Sequence, residues 1–170
     1  MPTTVPTGVI VVDFVDPAST QGWSTVNDTV MGGVSNSSVS WADGALVFAG
    51  SVSLENNGGF TSAVSPVVPG FAEAASEATA VVLTAQGDGR QYVVQLRSTT
   101  TGQQWTQSFT PPVELAEVVL PLEGFEASDF RLEPVAPVPV DLAVVDRLVI
   151  YLTDGQAGPF RLSVSRIAVR

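Results

Sequence analysis

The chain has 170 residues, enough for one domain with a sizeable core, and 45% hydrophobic against 14% charged residues excludes a disordered polymer. It carries a net charge of −10 with seven arginines and no lysine, histidine or cysteine. That composition removes disulfides, thiolate and imidazole chemistry and Schiff bases, and it makes nucleic acid and anionic membrane surfaces poor partners.

Residues 1–8 lack a basic leader pattern, and no apolar run approaches the roughly 18 residues of a membrane span, so a cytoplasmic protein without membrane insertion is expected. Residues 9–15 form a β-branched run that predicts a buried strand, ended by Asp16-Pro17. A glycine-containing loop follows, Trp23 through Asn27-Asp28 and Met31-Gly32-Gly33, leading toward a strand over 34–41. Residues 46–55 alternate strictly, with Leu46, Phe48, Gly50, Val52 and Leu54 on one face. Then comes a second loop, Glu55-Asn56-Asn57-Gly58-Gly59-Phe60, and an extended piece over 61–68.

Residues 73–78 are the one helix-prone stretch, too short for an amphipathic helix. Strands over 80–85 and 91–97 flank Gly87-Asp88-Gly89-Arg90, a hairpin signal, and 103–110 returns against 91–97. A strand over 115–120 precedes a loop anchored by Phe125 and Phe130, and residues 133–140 form a proline-spaced, polyproline-like connection. The last strands span 145–152 and 160–169. In the latter the apolar parity changes between Val164 and Ile167, which predicts a bulge near Ser165-Arg166. Many short strands and no useful helix predict an all-β jelly-roll sandwich. The expected organisation is an N-terminal extension with the first strand over 1–12, then one domain over 13–170.

Two sets of residues stand out. The glycine loops, with Trp23, Asn27, Asp28, Met31, Gly32, Gly33, Glu55, Asn56, Asn57, Gly58, Gly59 and Phe60, are expected to pack on each other at one end of the sandwich. Trp23, Met31 and Phe60 would point inward, and Asn27, Asp28, Asn56 and Asn57 would bond mostly to backbone. The second set depends on register. If Arg97 faces Gln103, then Gln95, Arg97, Gln103, Trp105 and Gln107 share one sheet face that suits a sugar. A shift by one residue instead sends Trp105 and Phe109 to the core with Tyr92, Val94 and Leu96.

The motifs Val26-Asn27-Asp28, Val30-Met31-Gly32-Gly33-Val34-Ser35, Leu54-Glu55-Asn56-Asn57-Gly58-Gly59-Phe60, Gly87-Asp88-Gly89-Arg90 with Tyr92, Leu120-Pro121 with Phe125, and Asp154-Gly155-Gln156 with Gly158-Pro159-Phe160 occur in this order. Together they resemble the complex I intermediate-associated protein (thirty-kilodalton) family over about 13–170. The resemblance implies a galactose-binding-like β-sandwich and a role in assembling respiratory or photosynthetic complexes, with no catalytic residues to carry over. Val64 stands where the family usually has Arg, and the Trp usual before the Leu-Pro strand is missing from 113–120.

The leading expectation is therefore a non-catalytic, chaperone-like interaction domain that serves as an assembly or stability factor. Its partners would be proteins of a multi-subunit complex, without cofactor or metal. A carbohydrate-binding module is the alternative, and a carboxylate-only hydrolase using Asp28, Glu55, Asp88 or Asp154 ranks third.

Overall fold

The computed structural model describes residues 8–74 and 78–170. Among these the chain forms twelve strands: β1 (Val9–Asp13), β2 (Ser24–Asn27), β3 (Asn36–Ala42), β4 (Ala45–Val52), β5 (Thr61–Val64), β6 (Ala80–Gln86), β7 (Tyr92–Arg97), β8 (Gln104–Phe109), β9 (Ala116–Pro121), β10 (Glu126–Ala127), β11 (Arg147–Leu152) and β12 (Gly158–Val169). Two antiparallel sheets face each other, and the architecture is the all-β jelly-roll sandwich expected from the strand pattern. Sheet A runs β3-β4-β12-β6-β9, with β1 also paired to β12; sheet B runs β10-β8-β7-β11-β5-β2. A one-turn helix, Gly70–Glu73, lies in the connection between β5 and β6. The helix-prone stretch 73–78 falls partly outside the described residues.

Alternation explains what reaches the core. Leu46, Phe48 and Val52 of β4 meet Phe160, Leu162 and Val164 of β12, all at most 4% exposed. Phe48 and Phe160 contact edge to face at 4.9 Å between ring centroids, and Tyr92 continues the row from sheet B. The register of β12 against β6 shifts between Val164 and Arg166, so a bulge at Ser165 returns Ile167 and Val169 to the core.

The Gly87–Arg90 turn closes no hairpin, because β6 and β7 lie in different sheets, and of the two expected loop anchors Phe125 is buried but Phe130 is 74% exposed. Three further expectations need correction. Residues 9–15 are not a buried strand: Val9 and Ile10 are exposed because β1 pairs with β12 alone, and only Phe14 is fully buried. Leu54, assigned to the core face of β4, is exposed because β4 ends at Val52 and the chain turns away.

The third concerns the β7–β8 hairpin. Leu96 faces Trp105, Gln95 faces Thr106 and Arg97 faces Gln104. The face shared by Gln95, Arg97, Gln103, Trp105 and Gln107 therefore does not exist. Trp105, with no exposed surface, and Gln107 point inward, whereas Gln95 and Arg97 point outward. Only this register brings Tyr92, Val94, Leu96, Trp105 and Phe109 together into the core. It leaves the Gln107 Oε1 buried without a partner among the described residues.

Leu162→Ala should cost about 2–5 kcal/mol in urea unfolding, because β12 is packed from both sides. Ile10→Ala, on the exposed strand, should cost less than about 1 kcal/mol.

Candidate functional site

The two glycine loops meet at one end of the sandwich, and the side chain that joins them is Asp28. It has no exposed surface, although it opens a one-turn 3-10 segment, Asp28–Met31, at the rim. One carboxylate oxygen accepts the Ser35 N–H at 3.0 Å. The other accepts the Ser35 hydroxyl at 2.6 Å, the Gly59 N–H at 2.7 Å and the Phe60 N–H at 3.3 Å. The Asp28 N–H in turn donates to the Phe60 carbonyl at 3.1 Å. Among the described residues no cation contributes. Burial alone pushes the carboxyl pKa upward, but the Ser35 hydroxyl and the N–H groups of Gly59, Ser35 and Phe60 outweigh it and hold the value below the usual carboxylate range.

The glycines follow from this arrangement. A Cβ on Gly33 would lie 2.4 Å from the Asp28 Cγ, and one on Gly58 would lie 2.5 Å from an Asp28 oxygen. Only a backbone without side chains fits so close to the carboxylate. Ser35 extends the network, since its hydroxyl also accepts the Ser53 N–H at 2.9 Å. Asn27 Oδ1 accepts from the hydroxyls of Ser37 and Thr61, which ties the edge strands β2 and β3 together across the flank of the sandwich. Asn56 donates to the Gly32 carbonyl at 3.2 Å.

The loops thus pack on each other, but not with the side-chain directions expected. Trp23 is buried, against Phe14 at 5.8 Å. Met31 is 71% exposed: the space beneath it is taken by the Asp28 carboxylate and its donors. Phe60 is half-buried, because Thr61 takes the inward parity of β5 and leaves Phe60 on the opposite one. Asn27 bonds to hydroxyls rather than backbone, and Asn57 makes no side-chain hydrogen bond among the described residues. Glu55 is exposed at the rim.

What results is a set of exposed apolar side chains on the two loops that Asp28 joins. Val30 is 72% exposed, and Val34 and Leu54 are exposed like Met31. The Leu54 side chain lies against Gly59, and the Asn56 bond to Gly32 closes the gap between the two loops.

A second motif pair, at the same end of the sandwich, forms a clamp that was not apparent from spacing. Arg90 grips Asp154 through Nε at 3.0 Å and Nη2 at 2.7 Å, and donates to the carbonyls of Gly158 and Pro159. Asp88 accepts the Tyr92 hydroxyl and the Arg161 N–H. The Arg90 hydrogen bonds hold Asp154 below the usual carboxylate range. Asp28, Asp88 and Asp154 therefore spend their acceptors on internal donors, and among the described residues no group of three or more His, Cys, Asp or Glu is placed to hold a metal.

The outward face of sheet B carries a polar row. Arg97 Nε donates to Gln95 Oε1 at 3.0 Å, Gln95 Nε2 donates to Gln104 Oε1 at 3.0 Å, and Arg97 Nη2 reaches the Tyr151 hydroxyl at 3.3 Å. Burial pushes the Tyr151 phenol upward, against the pull of Arg97. Gln104 and Tyr151 belong to this row, while Gln103 lies in the loop before β8. Both could have been found only with the hairpin register known.

Asp28→Asn would set an amide N–H₂ against backbone donors and should cost about 3 kcal/mol. Because the folded carboxyl titrates below its unfolded value, its contribution is present above about pH 4 and is lost as the pH falls through the folded value. Urea midpoints measured from pH 7 to pH 3 should show this acid-dependent loss in the native chain and a smaller one in the variant.

The fold resembles solved carbohydrate-binding modules. The family 11 module of a cellulosomal cellulase of Clostridium thermocellum superposes with a TM-score of 0.69 at 14% identity, covering 95% of this chain and 93% of that one. The family 11 module from Clostridium thermocellum in complex with a beta-1,3-1,4-mixed-linked tetrasaccharide gives 0.68 at 13% identity, with 95% of each chain covered. A mutant family 29 module gives 0.52 at 9% identity over 96% of this chain and 91% of that one. At such identities the likeness is one of fold, a galactose-binding-like sandwich. No curated protein sequence matches the chain. The sequence does match a family over residues 12–164, and that match takes in both glycine loops, the Arg90 turn and the start of the last strand. This chain belongs to the Complex I intermediate-associated protein 30 family.

Proposed function

We propose that this chain is a non-catalytic protein-interaction domain that helps assemble or stabilise a larger complex, and that it meets its partner with the glycine-loop end. The observation that carries this reading is the set of Val30, Met31, Val34 and Leu54, exposed on loops fixed from beneath by Asp28. Apolar side chains raised on a rigid support suit a partner surface, because little ordering entropy is lost on docking. Methionine adds an adaptable contact. Family membership agrees with association in a complex of the respiratory or photosynthetic type. Glu55 is exposed on the rim, and Arg90, at the same end, is spent on Asp154 and backbone carbonyls. A partner with apolar anchors and a basic rim fits best.

Carbohydrate binding is the second reading. It rests on the Gln95–Arg97–Gln104–Tyr151 row on sheet B and on the fold shared with a module solved with a mixed-linked tetrasaccharide. The row is weaker support, since its amides and guanidinium already satisfy one another and Trp105 stacks in the core instead of on the face. In the described residues no helix is long and apolar enough to cross a membrane.

A Val30→Asp, Met31→Asp double variant should keep its melting temperature within a few degrees and lose its partner by tenfold or more, on the order expected for interface anchors. Affinity purification from native cells with mass spectrometry reads this directly. Recovery of the same proteins by both forms would overturn the loop assignment. Retardation of the native chain, but not Arg97→Ala, in gels containing mixed-linked glucan would favour the second reading.

A further inference from the structure

The proline-spaced segment 133–140 crosses the edge of sheet B as an exposed strap. It is pinned at few points: the Trp105 indole N–H donates to the Val138 carbonyl at 2.8 Å, and the Val135 N–H donates to the Ala127 carbonyl at 3.0 Å. Between the strap and the 3-10 turn Leu122–Gly124 lies a cavity of about 630 Å³, open to solvent. Its walls are Leu122, Phe125, Ala127, Pro137 and Val140, and its only charged lining groups are Glu123 and Glu126. A smaller cavity of about 200 Å³ shares Ala127, Val135 and Val138 with it and is lined further by Gln103, Gln104 and Ser128. Ser128 is 7% exposed, and its hydroxyl has no hydrogen-bond partner among the described residues.

These features define a ligand. The apolar walls take hydrocarbon and reject a bare ion. Two carboxylates with no lining cation select a positive group. A buried hydroxyl without a partner costs free energy that a ligand's amide would relieve. The side-chain amides of Gln103 and Gln104 beside it suit a peptide backbone. Because the two cavities share a wall and both open along the strap, a ligand that fills them is extended.

We propose that the strap groove binds an extended segment of a partner protein, with an apolar side chain against Leu122 and Phe125, an adjacent Arg or Lys at Glu123 and Glu126, and backbone bonded to Ser128. The site lies apart from the glycine-loop surface and does not depend on it.

The test is an amide-resolved NMR titration of the full chain with three probes. These are a capped hexapeptide Gly-Leu-Arg-Leu-Arg-Gly, the same peptide with Glu in place of Arg, and dodecyltrimethylammonium as a free cationic amphiphile. Saturable shifts from the arginine peptide are expected at Leu122, Phe125, Ala127, Ser128, Val135 and Val138. Glu123→Gln with Glu126→Gln should weaken binding roughly three- to tenfold, as for two partly exposed ion pairs. Ser128→Ala should weaken it by about twofold or more without lowering the melting temperature. Val30→Asp with Met31→Asp should leave this binding unchanged, which separates the groove from the loop surface. Equal binding of the glutamate peptide, saturation by the amphiphile alone, shifts centred on the glycine loops, or no saturable shift would each overturn the proposal.

Discussion

A single carboxylate without a counterion organises the family-signature end of this protein. Asp28 is excluded from water, and its charge is balanced by one hydroxyl and three backbone N–H groups drawn from two loops about thirty residues apart in sequence. An uncompensated buried charge is among the most costly defects a fold can carry, so the donors cannot be displaced one at a time. Ser35 binds the carboxylate and β4's end together, and Gly33 and Gly58 exist to let backbone approach. The loops are consequently stiff while remaining at the surface. Stiffness at the surface lets Val30 and Met31 stay exposed without collapsing inward.

The same end uses charge in a second way, because Leu152 pairs with Thr61 and Gly158 with Val52, which sets the Arg90–Asp154 pair beside the glycine loops. Arg90 and Asp154 form a bidentate pair that is largely shielded, and the guanidinium also donates to the carbonyl of Gln156 and to those of Gly158 and Pro159 at the start of β12. The β6–β7 connection is thereby fastened to the β11–β12 connection, and each of the two links the sheets. With Asp28 and Arg90 both at this end, most of the polar residues that the sequence motifs single out are occupied in holding loops. The exposed apolar side chains of the loops and the strap groove are what remains available to other molecules.

Much of this was legible in the sequence. Alternation marked β4, β6 and β12, and the parity change after Val164 located the bulge, because period-two patterning against one core permits only one orientation of each side chain. The proximity of the two glycine loops also followed from their Asn, Asp and Gly content. Side-chain direction inside the loops did not. Nothing local says that Asp28, and not Met31, takes the interior, since that depends on donors supplied by residues 59 and 60. The β7–β8 register was ambiguous for a similar reason: Gln103, Gln104 and Gln107 put glutamine on both parities around Trp105, and only the opposing sheet decides which parity is buried. Arg90 and Asp154 are 64 residues apart, and their pairing is a property of topology. The groove, likewise, exists only once the strap is laid over β10.

The position of β12 has a consequence for how the molecule comes into being. It is the last of the strands, yet it lies between β4 and β6 and also carries β1. During synthesis five strands of sheet A emerge and wait, with β4 and β6 each lacking the neighbour that joins them, until β12 arrives. Such long-range closure slows folding and leaves open edges on the nascent chain. The sandwich is thus closed by the last of its strands, and its open edges are most exposed to misassociation just before β12 pairs.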